Sequence, residues 1–406
     1  MQDHPVLGQV ALGYSPMIGA QRAVTALRLT IFPQRSSEAA DGAALVRALE
    51  EIWPRPPASA GAARPAPQVS LNLAGEALLR EVMAALPGPQ MMIEVPAFMA
   101  GDAAHAEVLS ALHAAGSVLL IKGRPLAPLS AQTLAWFGHC ILEPGEDRRD
   151  VLTPSSAGRS VTAVQAGATK TSVVDAAFQR GAVAAFGWPW GDTVPAGSGR
   201  PNIPSDIKAV MDLINGVERE EPVSKLEAVL RRDPTLAFRL MRYLNSPAFG
   251  LSVEVNSFGQ ALMLLGYQRL KRWLALLLVS SAQGPNCKPI MYAAVRRGLV
   301  MEELVADASD AEVRGEMFIC GVFSLLDRLL QQPMAALLGS VPVPERVQQA
   351  LRGNGGPYGP YLDLVQAIEQ ESMFDIREQS ERLLLSPLDV NRAVLKALQS
   401  ARELEH

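Results

Sequence analysis

Hydrophobic and polar positions follow two rhythms along this 406-residue chain. Up to about residue 190, short apolar runs alternate with Ala- and Leu-rich stretches. Ala26–Phe32, Gln68–Leu73, Met91–Val95, Val118–Ile121 and Cys140–Leu142 read as strands. Between them, Gly42–Glu51, Gly75–Leu86, Ala103–Ala115 and Ser130–Phe137 predict helices. Strand and helix signals in alternation predict βα units on a parallel sheet. The Pro- and Ala-rich segment Pro54–Pro67 has no period and reads as a surface insertion.

Beyond residue 203 the pattern is helical and carries cap signals. Ser224 and Glu227 have capping-box spacing ahead of Leu226, Val229 and Leu230. Asp233-Pro234 offers a carboxylate N-cap followed by Pro at the first helical position, with Leu236, Leu240 and Leu244 as the apolar stripe. Ser257 and Gln260 repeat the box, and Gly266 is placed to end that helix. Tyr267–Ala282 is apolar nearly all round after Lys271 and Arg272, predicting a buried helix. Further helices are predicted over Ile290–Ala308, Glu312–Leu330, Pro333–Leu338, Pro344–Leu351, Tyr361–Glu371, Ile376–Leu384 and Pro387–Glu403, and no strand.

The change of rhythm falls at Pro195–Pro201, which holds two Pro and two Gly in seven residues. The organisation read from it is a first domain over 1–194, a linker over 195–202, a helical domain over 203–403, and a tag remnant at 404–406. Hydrophobic residues make up 49% of the chain, which excludes a disordered protein. Residues 1–202 carry 15 basic and 16 acidic side chains and 203–403 carry 22 and 24, so neither part offers the one-signed field that recruits nucleic acid or an anionic membrane. Three scattered cysteines, no signal-peptide pattern and no apolar run of membrane-spanning length lead to the expectation of a cytoplasmic location.

In its second half the chain resembles the HDOD domain, a helical module related to HD-type metal phosphohydrolases. The resemblance rests on Ile203-Pro204, Asp233-Pro234-Thr235-Leu236, Leu244-Asn245-Ser246, Ala261-Leu262 and Leu265-Gly266, in order over about 65 residues. Phe318–Gly321, Phe323–Asp327 and Ala350–Gly359 resemble the continuation found when HDOD is joined to an EAL-like domain. Pro204, Asp233, Pro234, Asn245, Ser246 and Gly266 are then scaffold positions. HD-type hydrolysis takes histidines as metal ligands, and the five histidines of the chain, at 4, 105, 113, 139 and 406, leave residues 203–403 without one.

The first half resembles EAL domains, TIM-like barrels that hydrolyse cyclic di-GMP. Ser70-Leu71-Asn72-Leu73 and Ile93-Glu94-Val95 are similar to strands that carry a metal-binding Asn and Glu. The Glu-x-Leu signature is matched by Leu27-Arg28-Leu29, so its carboxylate is replaced by an apolar residue. The paired-Asp strand is matched by Leu120–Gly123, where Lys122 brings a cation, and the Lys strand by Cys140–Leu142, without Lys. Two hard cations need several carboxylates, and Asn72 and Glu94 alone remain as vestigial ligand positions. The resemblance implies an α/β domain, a degenerate and possibly shortened EAL barrel, followed by an all-α HDOD domain.

Other constellations carry little. His139 and Cys140 are strand neighbours pointing to opposite faces, which argues against a dyad. His105 and His113 lack the spacing of a helical zinc pair. Ala261–Val279 has the outline of a helix-turn-helix, but its second helix is too apolar to lie in a groove. Arg231, Arg232, Arg239 and Arg242, with Arg269, Lys271 and Arg272, could meet phosphate or form an interaction surface, and Arg296-Arg297 share that ambiguity. Solvated helix faces are the simpler expectation.

The function expected is a non-catalytic bacterial signalling protein, without metal or cofactor, acting through contacts with other signalling proteins in cyclic-di-GMP-linked regulation. The alternative is a barrel that binds cyclic di-GMP or another nucleotide without cleaving it. Membrane and nucleic-acid partners are not expected.

Overall fold

The computed structural model describes residues 4–34, 40–55, 68–125, 127–146, 161–192, 194, 205–232, 258–282, 287–307, 309–341, 343–353 and 355–405. The chain forms two compact units, one of 1–192 with 366–392 and one of 193–365 with 393–406.

The first unit is a closed barrel of eight strands: β1 Val10–Gly19, β2 Val24–Pro33, β3 Val69–Leu73, β4 Met91–Pro96, β5 Val118–Lys122, β6 Phe137–Leu142, β7 Thr162–Gln165 and β8 Ala184–Phe186. β1 runs antiparallel to both β2 and β8, and every other pair is parallel. All five predicted strands lie in it. The barrel is not shortened, because β1, β7 and β8 close the ring. Their signals are weak: β1 contains Gly13, Ser15 and Pro16, which read as turn residues, and β7 and β8 have four and three residues.

Period-2 alternation turns one set of side chains to the lumen. Met17, Ala26, Met92, Leu120, Ile141, Val164, Ala166, Ala184 and Phe186 pack there as an apolar floor. The other set is buried under helices, as Leu27, Leu29, Leu71 and Ile93 are. Two of the helices start on side-chain caps. Asp41 accepts from the Ala44 amide at the start of Gly42–Ile52, and Ser130 accepts from Thr133 at the start of Ala131–Ala135. The helix predicted through Phe137 stops at Ala135, since Phe137 opens β6.

Segment 366–392 belongs to this unit and is fastened to β1. Asn391 accepts from the Leu12 amide (3.1 Å) and donates to the carbonyls of Leu7 and Val10 (2.7 Å each). The Trp188 indole donates to the Tyr14 and Glu369 carbonyls. The boundary read at 195–202 separates the two rhythms but places 366–392 with the helical domain. Helical periodicity does not reveal which core a helix serves.

The second unit is helical among its described residues, with helices Ser205–Glu218, Val223–Arg232, Phe258–Ser280, Cys287–Glu303, Ala311–Phe323 and others beyond, the last being Pro387–Glu405, which enters the unit at 393. The helix predicted to start at Ser224 starts at Val223, where the Pro222 carbonyl accepts from Lys225 and Leu226, so Ser224 sits inside the first turn. Gly266, at φ 71° and ψ 169°, breaks Phe258–Ser280 in two as expected of a stop residue. The apolar stretch after it is core: Leu270, Trp273, Leu274, Ala275, Leu278 and Val279 are buried. Pro204, Asp233, Pro234, Asn245, Ser246, Arg239 and Arg242 lie outside the described residues. Arg231 and Arg232 end a helix.

Candidate functional site

Parallel strands bring their C-terminal ends to one mouth of a barrel, the usual place for its chemistry. Here the lumen-facing residues at that end are polar. Thr30 on β2 pairs in register with Asn72 on β3, and Arg28 with Ser70. Glu94 stands on β4 and Lys122 ends β5. The two vestigial ligand positions therefore do converge, together with three residues the sequence reading did not place there: Arg28, Thr30 and Glu371.

Glu94 has a side chain 0% exposed and both of its oxygens are taken. Arg28 grips it in two parallel bonds of 2.7 Å, Nε to Oε1 and NH2 to Oε2, and Ser70 Oγ donates to Oε1 at 3.1 Å. Arg28 also lies 5.1 Å from the Phe186 ring and 3.6 Å from Glu371. Burial alone would lower the Arg28 pKa. The charge of Glu94 and its hydrogen bonds, aided by Glu371 and Glu143, outweigh burial and raise it, so the guanidinium is a permanent cation.

A second chain of bonds runs across the mouth. Lys122 Nζ donates to Asn72 Oδ1 (2.8 Å), Asn72 Nδ2 to Thr30 Oγ1 (3.0 Å), and Thr30 Oγ1 to Glu371 Oε2 (2.7 Å). Ser15 Oγ closes it on Glu371 Oε1 at 2.5 Å. Asn72, Thr30 and Glu371 are each oriented by a neighbour on either side.

In the stretch compared with the Glu-x-Leu strand, Leu27 and Leu29 face away from the lumen and Arg28 faces into it, so this strand presents a cation to the mouth. A divalent ion coordinated by Glu94 would have to displace Arg28, and one coordinated by Asn72 would have to displace Lys122. The residues present thus do not fit a dinuclear metal centre in this arrangement. Among the described residues there is also no group of three or more His, Cys, Asp or Glu suited to an ion.

Above the network lies a cavity of about 480 Å³ lined by Asn72, Glu94, Phe98, Lys122, Arg124 and Glu143. Phe98 is 55% exposed, and the lysine and arginine flank Gly123.

The other candidates are dispersed. His4 bonds Glu51, and His139 meets the Thr162 hydroxyl through Nδ1, with burial lowering its pKa. The three cysteines are buried, and burial raises the Cys287 thiol and pushes Cys320 up to about 12, so neither of these two is poised as a nucleophile. In the helical unit four of the basic residues considered for phosphate contact, Lys271, Arg272, Arg296 and Arg297, are engaged internally, whereas Arg269 is exposed. Lys271 pairs with Glu218 at 2.8 Å, and Arg272 pairs with Glu302 and stacks 4.2 Å from the Phe318 ring. Arg296 and Arg297 are 3% and 5% exposed, with Arg296 over Tyr292 and Arg297 bonded to Ser324. For these residues a solvated face is the wrong picture.

The HDOD domain family model matches residues 201–335, and this stretch is an HDOD domain. YuxH, an uncharacterized protein of Bacillus subtilis, is 31% identical over 176 residues, 42% of this chain and 43% of that protein. The cyclic di-GMP phosphodiesterase CdgJ of Vibrio cholerae is 26% identical over 180 residues, 44% of this chain and 42% of that protein. The chain therefore matches less than half the length of these curated relatives. A solved chain described as "PaMucR Phosphodiesterase, c-di-GMP complex" covers 46% of this chain and 93% of its own at 16% identity, with a TM-score of 0.31 that carries no argument.

Proposed function

We propose that this protein is a non-catalytic cytoplasmic signalling protein whose barrel is a degenerate EAL-like domain, acting through protein contacts in cyclic-di-GMP-linked regulation. The observation that carries this reading is the Arg28–Glu94 pair. A guanidinium held on both oxygens of the carboxylate, with Lys122 on the amide oxygen of Asn72, leaves the mouth polar but internally saturated. Hydrolysis of a phosphodiester needs those groups for ions or for activating water. The likeness to a named cyclic di-GMP phosphodiesterase supports the regulatory setting. Incubation with cyclic di-GMP and Mg²⁺ or Mn²⁺ is expected to give no linear product. Turnover that Glu94→Gln abolishes would overturn the reading.

A second reading, a receptor that binds a nucleotide without cleaving it, is favoured by the cavity above the network. Lys122 and Arg124 offer positive charge there and Phe98 an exposed ring for stacking. Isothermal titration with cyclic di-GMP separates the two: heat at micromolar ligand, lost in Arg124→Ala, supports the receptor, and silence at high concentration removes it.

A further inference from the structure

Glu371 is the member of the mouth that no strand supplies. It comes from the turn between helices Gly359–Glu369 and Met373–Arg382, in the left-handed conformation (φ 54°) that caps the end of the first of them. Its backbone is pressed onto β1. A Cβ on Gly13 would lie 2.9 Å from the Glu371 Cα and 3.0 Å from the Ile368 carbonyl oxygen, so the close approach requires the glycine. Its carboxylate is consumed by Ser15, Thr30 and Arg28. Glu371 is thus a tether of segment 366–392 to the barrel interior, while the Glu369 carbonyl accepts from the Trp188 indole and the Asn391 side chain bonds the backbone of Leu7, Val10 and Leu12.

The Thr30 hydroxyl that donates to Glu371 accepts from Asn72, and Asn72 is oriented by Lys122. Lys122 lines the open cavity. Whatever draws its ammonium away from Asn72 frees that amide to rotate and takes from Thr30 the bond that aims its proton at Glu371. We propose that segment 366–392 is a regulatory strap, latched at Glu371, whose hold on the barrel is read out from the cavity through the relay Lys122–Asn72–Thr30. The strap is bracketed in sequence by residues of the helical unit on both sides, at 365 and 393, so its release alters the chain entering and leaving that unit.

The test is hydrogen–deuterium exchange on the full chain, reading peptides from 366–392 against peptides from β4 and β7. Glu371→Gln keeps the shape and removes the charge; it should raise strap exchange about tenfold, as loss of a charge-assisted bond does. Lys122→Met should raise it about fivefold, the effect of one neutral-strength bond, although residue 122 does not touch the strap. Lys122→Arg, which restores a donor, should return it towards wild type. β4 and β7 peptides serve as the folding control, and Thr30→Val, which cuts the relay at its middle, replaces Lys122→Met if that variant loses them. Unchanged strap exchange in Glu371→Gln overturns the latch. A response to Glu371→Gln but none to Lys122→Met or Thr30→Val overturns the relay. Neither result depends on whether cyclic di-GMP binds or is cleaved.

Discussion

The barrel mouth and the helical unit use basic residues in contrasting ways. In the barrel, Arg28, Ser70, Glu94, Thr30, Asn72, Lys122 and Glu371 come from five separate stretches of chain and meet in one continuous network. In the helical unit, Lys271 meets Glu218, Arg272 meets Glu302 and Phe318, and Arg297 meets Ser324, each as a local helix-to-helix contact. A closed sheet converges its inward side chains on one axis, whereas packed helices meet in pairs. A cation in the lumen is therefore coupled to many partners and one between helices to one or two. Arg28 is 10% exposed and its partner 0%, while Arg272 and Glu302 are 35% and 20% exposed.

The sharpest way to break this contrast is to remove Arg28. Arg28→Met strands a fully buried carboxylate and should destabilise the barrel unit by about 3–5 kcal/mol. The double variant Arg28→Met/Glu94→Met should recover most of that loss. Urea denaturation with exchange of β2–β4 peptides as the local readout measures both, and equal stability of the single variant and wild type would show the pair to be dispensable.

Next comes Gly13→Ala, which forces a methyl against the Glu371 backbone and should cost about 1–3 kcal/mol, with strap peptides losing protection first. The helical counterpart is smaller. Arg272→Met should cost about 1 kcal/mol, because a half-exposed ion pair is partly screened and the methionine still packs on Phe318. A loss as large as that of Arg28→Met would erase the distinction between the two regions.

The smallest effect is a pH dependence confined to the barrel. Burial holds His139 below its ordinary 6.5. Above 6.5 the imidazole is neutral in folded and unfolded chains alike and its contribution is complete. As pH falls below 6.5 the unfolded chain takes up the proton first, so that contribution is lost between 6.5 and the lower folded value. Melting curves over a pH series should show barrel stability falling on this acid limb, and His139→Gln should flatten the component.

How much of this was legible varied by element. Five strands and most helices announced themselves through apolar runs and caps, because burial on both faces and N-terminal capping act over a few neighbouring residues. β7 and β8 are too short to show a period, and β1 hides its strand character behind Gly13, Ser15 and Pro16. Asn72 and Glu94 could be picked out through resemblance. Arg28 was not read as a lumen residue, because in a strand a one-residue choice of register decides which face every side chain takes. Glu371 gave no signal: an acidic residue at a predicted helix end looks like solvated surface.

Local composition and periodicity determined the strand–helix alternation of the first region and the helical character of the second, since both depend on interactions short in sequence, and the HDOD character was read from the resemblance carried by its motif residues. Tertiary structure alone decided which way the basic residues point, and it made Glu371 a neighbour of Ser15 across 356 positions. Charge acts through space and screens with distance, so a residue's electrostatic role is settled only when the fold has chosen its partners. In this chain a closed barrel and a returning segment made those choices.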